Sequence, residues 1–406
     1  MKSIANSSRH RRGAAHIVRP GLFALLVLSF AGRAAAQTST VGASVNMVGG
    51  ASDPHTSGPG TFSAFGAVYP SVTLSTVGQK SSFGAGYTFG FDRSGSSLAQ
   101  SSNSHAATAQ FTSQATPRWT LRFSESYELT KNASAFYALQ AVIPEGGSGL
   151  VFYPVALRLS TATNTAGADV SYTASEKSSW SFGGTHSLRN YGASAGGVHG
   201  TLSNQQTVQG HGSYSRQVSE RSAWTIRYTG EYSTFRDFNA AQSHMVSLQF
   251  SRRLTPNVTL NLSGGGSRVA SVGTTSGYSS YDVSGSLERT LKNASYTIYF
   301  TRETGRSSGL GSISDTERAG FSLRRDARAV LIFVDVGAFD TRGRFENVVR
   351  TVGGSAAASV GARLSRYAYF RVGSQFQRYG QSAEFSFSEQ RIFASLQFNN
   401  PTLWRL

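Results

Sequence analysis

A short polar turn followed by strict alternation of apolar and polar residues recurs along this chain, and no other feature restricts its fold as much. Ser219-Glu220-Arg221-Ser222-Ala223 leads into Trp224, Ile226, Tyr228 and Tyr232, with Thr225, Arg227, Thr229 and Glu231 between them. Successive side chains on a strand point to opposite faces. One face here is apolar and the other carries charge. Ser175-Glu176-Lys177-Ser178-Ser179-Trp180-Ser181-Phe182 repeats the same pattern 44 residues earlier. Thr116-Pro117-Arg118-Trp119 matches Thr255-Pro256-Asn257-Val258 in the same way. Looser copies occur at Val77 to Lys80, Leu291 to Ala294, Arg325 to Arg328 and Leu364 to Arg366.

Each turn joins two strands of about a dozen residues. Eight turns give sixteen strands; Val41, Ala43, Val45 and Met47 add one at the start, and Ile392, Ala394, Leu396 and Phe398 one at the end. The expected count is eighteen, within a range of sixteen to twenty. Twelve residues at about 3.3 Å each, tilted near 45°, rise about 28 Å, close to the apolar band of a membrane barrel. The opposite ends of the hairpins carry longer Gly/Ser/Asn-rich segments, such as 94–104, 191–202 and 306–313. A sandwich would turn every 8 to 12 residues and look alike at both ends, and a β-helix would repeat more tightly. The expected fold is all-β: a transmembrane antiparallel up-and-down barrel with short periplasmic turns and longer extracellular loops. Alternation fails over 130–163, where Phe136 to Leu139 and Leu150 to Tyr153 flank Pro144-Glu145-Gly146-Gly147. This segment is expected to be a long loop able to enter the pore; an extra hairpin there would raise the count to twenty.

The N-terminus reads as a secretory signal. Lys2, Arg9, Arg11, Arg12 and Arg19 precede a ten-residue core from Gly21 to Phe30, and Ala34-Ala35-Ala36 offers a cleavage site. Ten residues fall short of the roughly 20 that a helix needs to span a bilayer. The expected division is a cleaved Sec-type signal at 1–36 and a single barrel domain at 37–406. The absence of cysteine leaves no disulfide, thiolate metal site or thiol nucleophile. Removing the six basic residues of the signal from the 38 in the chain leaves 32 against 21 acidic residues. Behind an export signal, such a balance points to anionic surfaces or solutes and not to nucleic acid.

With these features in place, the chain resembles bacterial outer-membrane β-barrel proteins of the porin-like type. The likeness rests on the signal, the hairpin repeat, the aromatic residues beside turns (Trp119, Trp180, Trp224, Tyr296) and the last strand. Its breadth and charge also look like sugar porins and polysaccharide-export barrels, in architecture only. The resemblance implies outer-membrane lipid as surroundings, and recognition of the apolar-x-aromatic end of the last strand, here Leu396-Gln397-Phe398, by the outer-membrane assembly machinery. Phe398 is expected to close that strand; the chain runs on to Leu406, and Phe393 stands where the family pattern often has glycine.

The charges separate into two groups. Lys80, Arg118, Lys177, Arg221, Arg253, Lys292, Arg325 and Arg366 crowd the turns and form a basic periplasmic rim, suited to gathering an anionic solute or polymer or to anchoring at lipid head groups. Arg122, Arg189, Arg227, Glu231, Asp282, Arg318, Asp335, Arg371 and Arg391 fall on the polar face and are the lumen candidates. Both signs there favour water and a transverse field. Tyr299, Phe333, Phe339, Tyr369, Tyr379 and Phe393 share the polar face, where they either stack against sugars or pack the interior. Enzyme signals are poor. Gly192-Ala193-Ser194-Ala195-Gly196 fits a nucleophile elbow formally, but no helix follows it. The eight histidines lack metal spacing, and neither a cofactor nor a catalytic residue is expected. His186 and His211 are strand histidines that could meet a carboxylate across the wall. The function expected is a channel for polar, anionic or sugar-like solutes. The alternatives are an exopolysaccharide-export barrel and a non-transporting surface barrel.

Overall fold

The computed structural model describes residues 38–55, 61–95, 102–130, 160–192, 204–236, 239–272, 277–306, 313–327, 329–343, 350–380 and 386–405. The expected signal at 1–36, most of the expected pore loop (131–159) and most of the Gly-x-Ser-x-Gly stretch lie outside them.

The described residues form β1 (Thr38–His55), β2 (Ser63–Val77), β3 (Ser81–Ser94), β4 (Ser102–Gln114), β5 (Trp119–Thr130) and β6 (Thr161–Ser175). Then come β7 (Ser178–Tyr191), β8 (Gln205–Ser219), β9 (Ser222–Phe235), β10 (Ala241–Thr255), β11 (Val258–Ser271) and β12 (Gly277–Leu291). The last third gives β13 (Ala294–Arg306), β14 (Ile313–Ala327), β15 (Val330–Gly343), β16 (Arg350–Arg363), β17 (Ala368–Gly380) and β18 (Ser386–Arg405). Every strand pairs antiparallel with its sequence neighbours, and β1 pairs with β18, so the sheet closes as an 18-stranded barrel. Closure leaves no sheet edge, which is what lets a sheet stand in lipid.

The repeated turn sequence has a local cause. The hydroxyls of Ser175, Ser219 and Thr255 accept from the backbone N–H groups of Lys177, Arg221 and Asn257, each at 3.3 Å. The Thr116 hydroxyl accepts from the N–H groups of Arg118 and Trp119 at 3.3 and 3.1 Å. A hydroxyl that satisfies an amide two residues on fixes a tight turn. Each turn is also tied sideways: the carbonyls of Lys80, Arg118, Lys177 and Arg221 accept from the N–H groups of Gln114, Thr173, Gln217 and Arg253 in the next hairpin, at 2.7 to 2.8 Å.

The barrel is apolar outside and polar within. Val246, Ile298, Phe182 and Val360 are more than half exposed on the outer face. Buried inward positions are mostly polar, with hydroxyl pairs across strands such as Ser44–Ser71 at 2.5 Å, Thr207–Ser233 at 2.6 Å and Ser215–Thr225 at 2.8 Å. Trp119 packs at a tilt against Tyr172 (ring centroids 4.7 Å apart), and Tyr214 packs at a tilt against Trp180 and edge-on against Trp224 (4.6 and 5.4 Å), forming an aromatic girdle at the turn end.

The last strand corrects the expectation that Phe398 closes it. β18 continues to Arg405, because β1 reaches down to Thr38 and its lower residues need partners: Ser44 pairs with Asn399, Ala43 with Asn400, Val41 with Trp404 and Thr40 with Arg405. Between Val41 and Ala43 the register shifts, and Gly42 alone faces Pro401 to Leu403. A proline, which has no amide to donate, fits a ladder at such a bulge. A Cβ at Gly42 would lie 2.9 Å from the Pro401 carbonyl oxygen, so the bulge requires glycine opposite it.

Candidate functional site: the barrel lumen

Alternation settles which way each candidate points. Arg227 lies between outward Ile226 and Tyr228, Asp282 between Tyr281 and Val283, Arg371 between Phe370 and Val372, and Asp335 beside Val336. The same parity turns Arg122, Arg189, Glu231, Arg318 and Arg391 inward, opposite Phe123, Phe182, Tyr232, Phe300 and Ile392 on their own or the paired strands. The rim residues Lys80, Arg118, Lys177, Arg221, Arg253, Lys292, Arg325 and Arg366 are exposed at the turn end, with Arg253 and Arg325 on the final strand residues instead of in the turns themselves.

Several inward charges are already engaged with the wall. Arg391 donates through Nε to Glu389 Oε1 at 2.6 Å, Gln377 Nε2 donates to Glu389 Oε2 at 2.7 Å, and the guanidinium sits 5.7 Å from the Phe65 ring centre. Glu389 and Gln377 escaped the sequence reading, although Glu389 stands two residues from Arg391 on the same face. Tyr69 donates its hydroxyl to Asp92 on the adjacent strand, and both side chains are buried. Arg318 pairs with Glu303 at 3.7 Å. Glu231 accepts from Gln209 at 3.4 Å.

Asp169 is the register partner of Arg122, and its Oδ1 lies 3.0 Å from His211 Nε2 two strands away. The residue between them is Gly183, and a Cβ there would collide with the Asp169 carboxylate. His186 points the other way, to the outer face, where its Nε2 meets Gln206 Nε2 at 3.0 Å. The two histidines therefore stand on opposite sides of the wall and form no common site.

Asp282 has a backbone role. Its Oδ1 accepts from the Thr304 N–H at 2.5 Å, where the β12–β13 ladder stops after Val283↔Arg302. The carboxylate replaces a missing ladder carbonyl and meets the amide's need for a partner.

The inward aromatics lie along the wall. Tyr299 covers Gly320 on β14, Phe339 covers Gly353 on β16, and Phe393 covers Gly373 on β17; a Cβ at these glycines would sit 2.5 to 2.7 Å from the rings. Phe339 is 5% exposed, so it packs the interior and offers no face to a sugar. Phe333 and Tyr369 are inward and half-buried, Tyr369 accepting from Arg363 Nη2 at 2.6 Å; the side chain of Tyr379 lies outside the described residues.

Arginine is densest on the inner face of β14 to β18. Arg318, Arg324, Arg371 and Arg391 lie there beside Asp335 and Glu389, the last bound to Arg391. Across β5 to β9 the signs are mixed: Arg122, Arg189 and Arg227 against Glu128, Asp169 and Glu231.

This architecture, a closed 18-stranded antiparallel sheet apolar outside and polar within, is the fold of porin-like barrels. No family model and no curated protein matches the sequence. Among solved structures, Pseudomonas aeruginosa OccK7 (OpdD) superposes with a TM-score of 0.50 at 10% identity, over 91% of this chain and 100% of that one. Pseudomonas aeruginosa OccK2 (OpdF) in complex with glucuronate gives 0.49 at 12% identity, over 89% and 98%. Acinetobacter baumannii OccAB4 gives 0.48 at 10% identity, over 89% and 98%. At such identities the likeness is one of fold.

Proposed function

We propose that the chain is an outer-membrane channel for polar solutes that favours anions. The observation that carries this reading is the inner wall of β14 to β18, where Arg318, Arg324, Arg371 and Arg391 outnumber Asp335 and Glu389. A surplus of positive charge on one wall of a lumen raises the local concentration of anions. An 18-stranded barrel is wide enough to leave an aqueous lumen. The mixed signs on β5 to β9 keep the opposite wall wet and supply a field across the pore. In this reading residues 1–36 are removed on export, residues 37–406 are the barrel, the basic turns face the periplasm, and Leu396 and Phe398 are read by the assembly machinery.

The test is conductance in planar bilayers. Folded protein is expected to conduct, with anions preferred under a KCl gradient. Replacing Arg324 and Arg371 together by serine should move the reversal potential towards the cation side while leaving the barrel folded. An unchanged reversal potential, or no conductance from folded protein, removes the reading.

A further inference from the structure

A groove of about 660 Å³ crosses the outer face over β18, β1, β2 and β3. Its floor is one cross-strand row of small residues: Ala394 pairs with Gly49, Gly49 with Gly66, and Gly66 with Arg93. The next row towards the turns, Leu396, Met47, Val68 and Phe91, stands beside it as an apolar ridge. The wall's own packing does not require these glycines. A Cβ at Gly49 or Gly66 would meet one strand carbonyl oxygen at 3.9 Å and nothing closer. Gly320, Gly353 and Gly373 differ, since inward rings cover them. The outer face has two more open glycines, Gly264 and Gly266. These lie in one strand between Leu248 and Val283 and between Val246 and Tyr281, so large side chains interrupt any trough there.

The groove ends at a cation. β3 begins at Ser81, so Arg93 lies about 28 Å up a strand tilted near 45°, at the head-group edge of the apolar band. The side chain is exposed, and its guanidinium sits 4.9 Å from the Phe91 ring centre. No carboxylate of the described residues pairs with it. Arg302, Arg342 and Arg350, also outward, each bind Glu317 or Asp340. From Arg93 the floor slopes down into the band: beyond Ala394 its row reaches Val372, near the turn end of β17.

We propose that this groove docks a phosphorylated glycolipid of the outer leaflet, with its phosphate on Arg93 and one acyl chain along Gly66, Gly49 and Ala394. The occupant follows from charge and depth. A guanidinium without a carboxylate, placed among lipid head groups, calls for an anion, and its fork of N–H donors matches phosphate oxygens. A zwitterionic lipid brings its own ammonium and gains less. Below the phosphate, three strand spacings of floor, about 14 Å, offer a saturated chain a bed free of side chains, where close contact replaces a poorly filled hollow. The proposal rests on the reading that the long-loop end faces outward, and it is independent of what passes through the lumen.

Folded protein in detergent is titrated with purified lipid A, a phosphorylated diglucosamine with saturated acyl chains, and the complex is read by native mass spectrometry. One lipid per barrel is the expected stoichiometry. Arg93→Gln, and separately Gly49→Leu with Gly66→Leu, should each weaken retention at least fivefold, whereas Gly264→Leu with Gly266→Leu should leave it unchanged. The same lipid stripped of phosphate should be held at least fivefold more weakly. Folding of each variant is checked by heat-dependent gel mobility, and Gly49→Val with Gly66→Val replaces the leucine pair should that fail to fold. Retention indifferent to Arg93→Gln, to the filled floor or to loss of the phosphate overturns the proposal. Orientation is read separately: the chain contains no cysteine, so an impermeant maleimide on intact cells should label Thr61→Cys at the long-loop end. Absence of that label overturns the orientation, and with it the outer-leaflet occupant, whatever the binding.

Discussion

Gly320 lies flat beneath the Tyr299 ring, and its missing Cβ is what allows the ring to rest on the wall. Gly320→Ala is expected to destabilise the folded barrel by about 1–3 kcal/mol through overpacking, read as a lower urea midpoint. Tyr299→Leu in the same chain should recover part of that loss. Asp282 makes a second prediction. Asp282→Ala leaves the Thr304 amide without its acceptor, an expected loss of about 1–3 kcal/mol, whereas Asp282→Asn keeps an acceptor and should lose less. Conductance should barely change in either, because the carboxylate serves the backbone. Neither role was legible in the sequence. Alternation shows that Asp282 and Tyr299 share the polar face, but the use of each depends on the residue across the strand gap, which only register reveals.

At the scale of elements the sequence was far more explicit. The eighteen strands and the turn positions follow from period-two alternation and from hydroxyl residues two positions before an amide, both local properties. Ser219 and Ser175 were visible as turn markers because their chemistry acts within the turn. Ser219→Ala is expected to cost about 1 kcal/mol and, because the turn nucleates a hairpin, to slow folding into detergent micelles, measured by the appearance of the compact gel form. The end of β18 was not legible, because Asn399 to Arg405 break the alternation around Pro401 and pair with β1 in two registers, one on each side of the bulge opposite Gly42. Deleting residues 399–406 should strip β1 of its lower partners and reduce the folded fraction even though Leu396 and Phe398 remain. A folded yield equal to that of the whole chain would show that the seam above Phe398 suffices.

For the whole molecule, the sequence separated turn charges from lumen charges but could not order them around a circumference. Strand order in the closed sheet does so: arginine outnumbers the inward acids Asp335 and Glu389 on β14 to β18, and matched signs face it from β5 to β9. The lumen is therefore lined by two different walls. A further expectation belongs at this scale. Arg122→Ser should alter selectivity less than Arg371→Ser in bilayer recordings, since Arg122 faces Asp169 in register while Arg371 faces Gly361 and Ser395.

The seam between β1 and β18 has one more consequence. Thr40 and Arg405 stand opposite each other, so the described chain ends meet at the turn end like the two tips of a bracelet. Any of the eight tight turns could serve as the clasp instead. A rearranged gene that links 405 back to 38 through a few residues and opens between Ser219 and Ser222 would trace the same cylinder, with a different strand made last. The shape belongs to the cycle of pairings, and where the thread is cut is a separate matter, one that assembly in the cell can be asked about on its own.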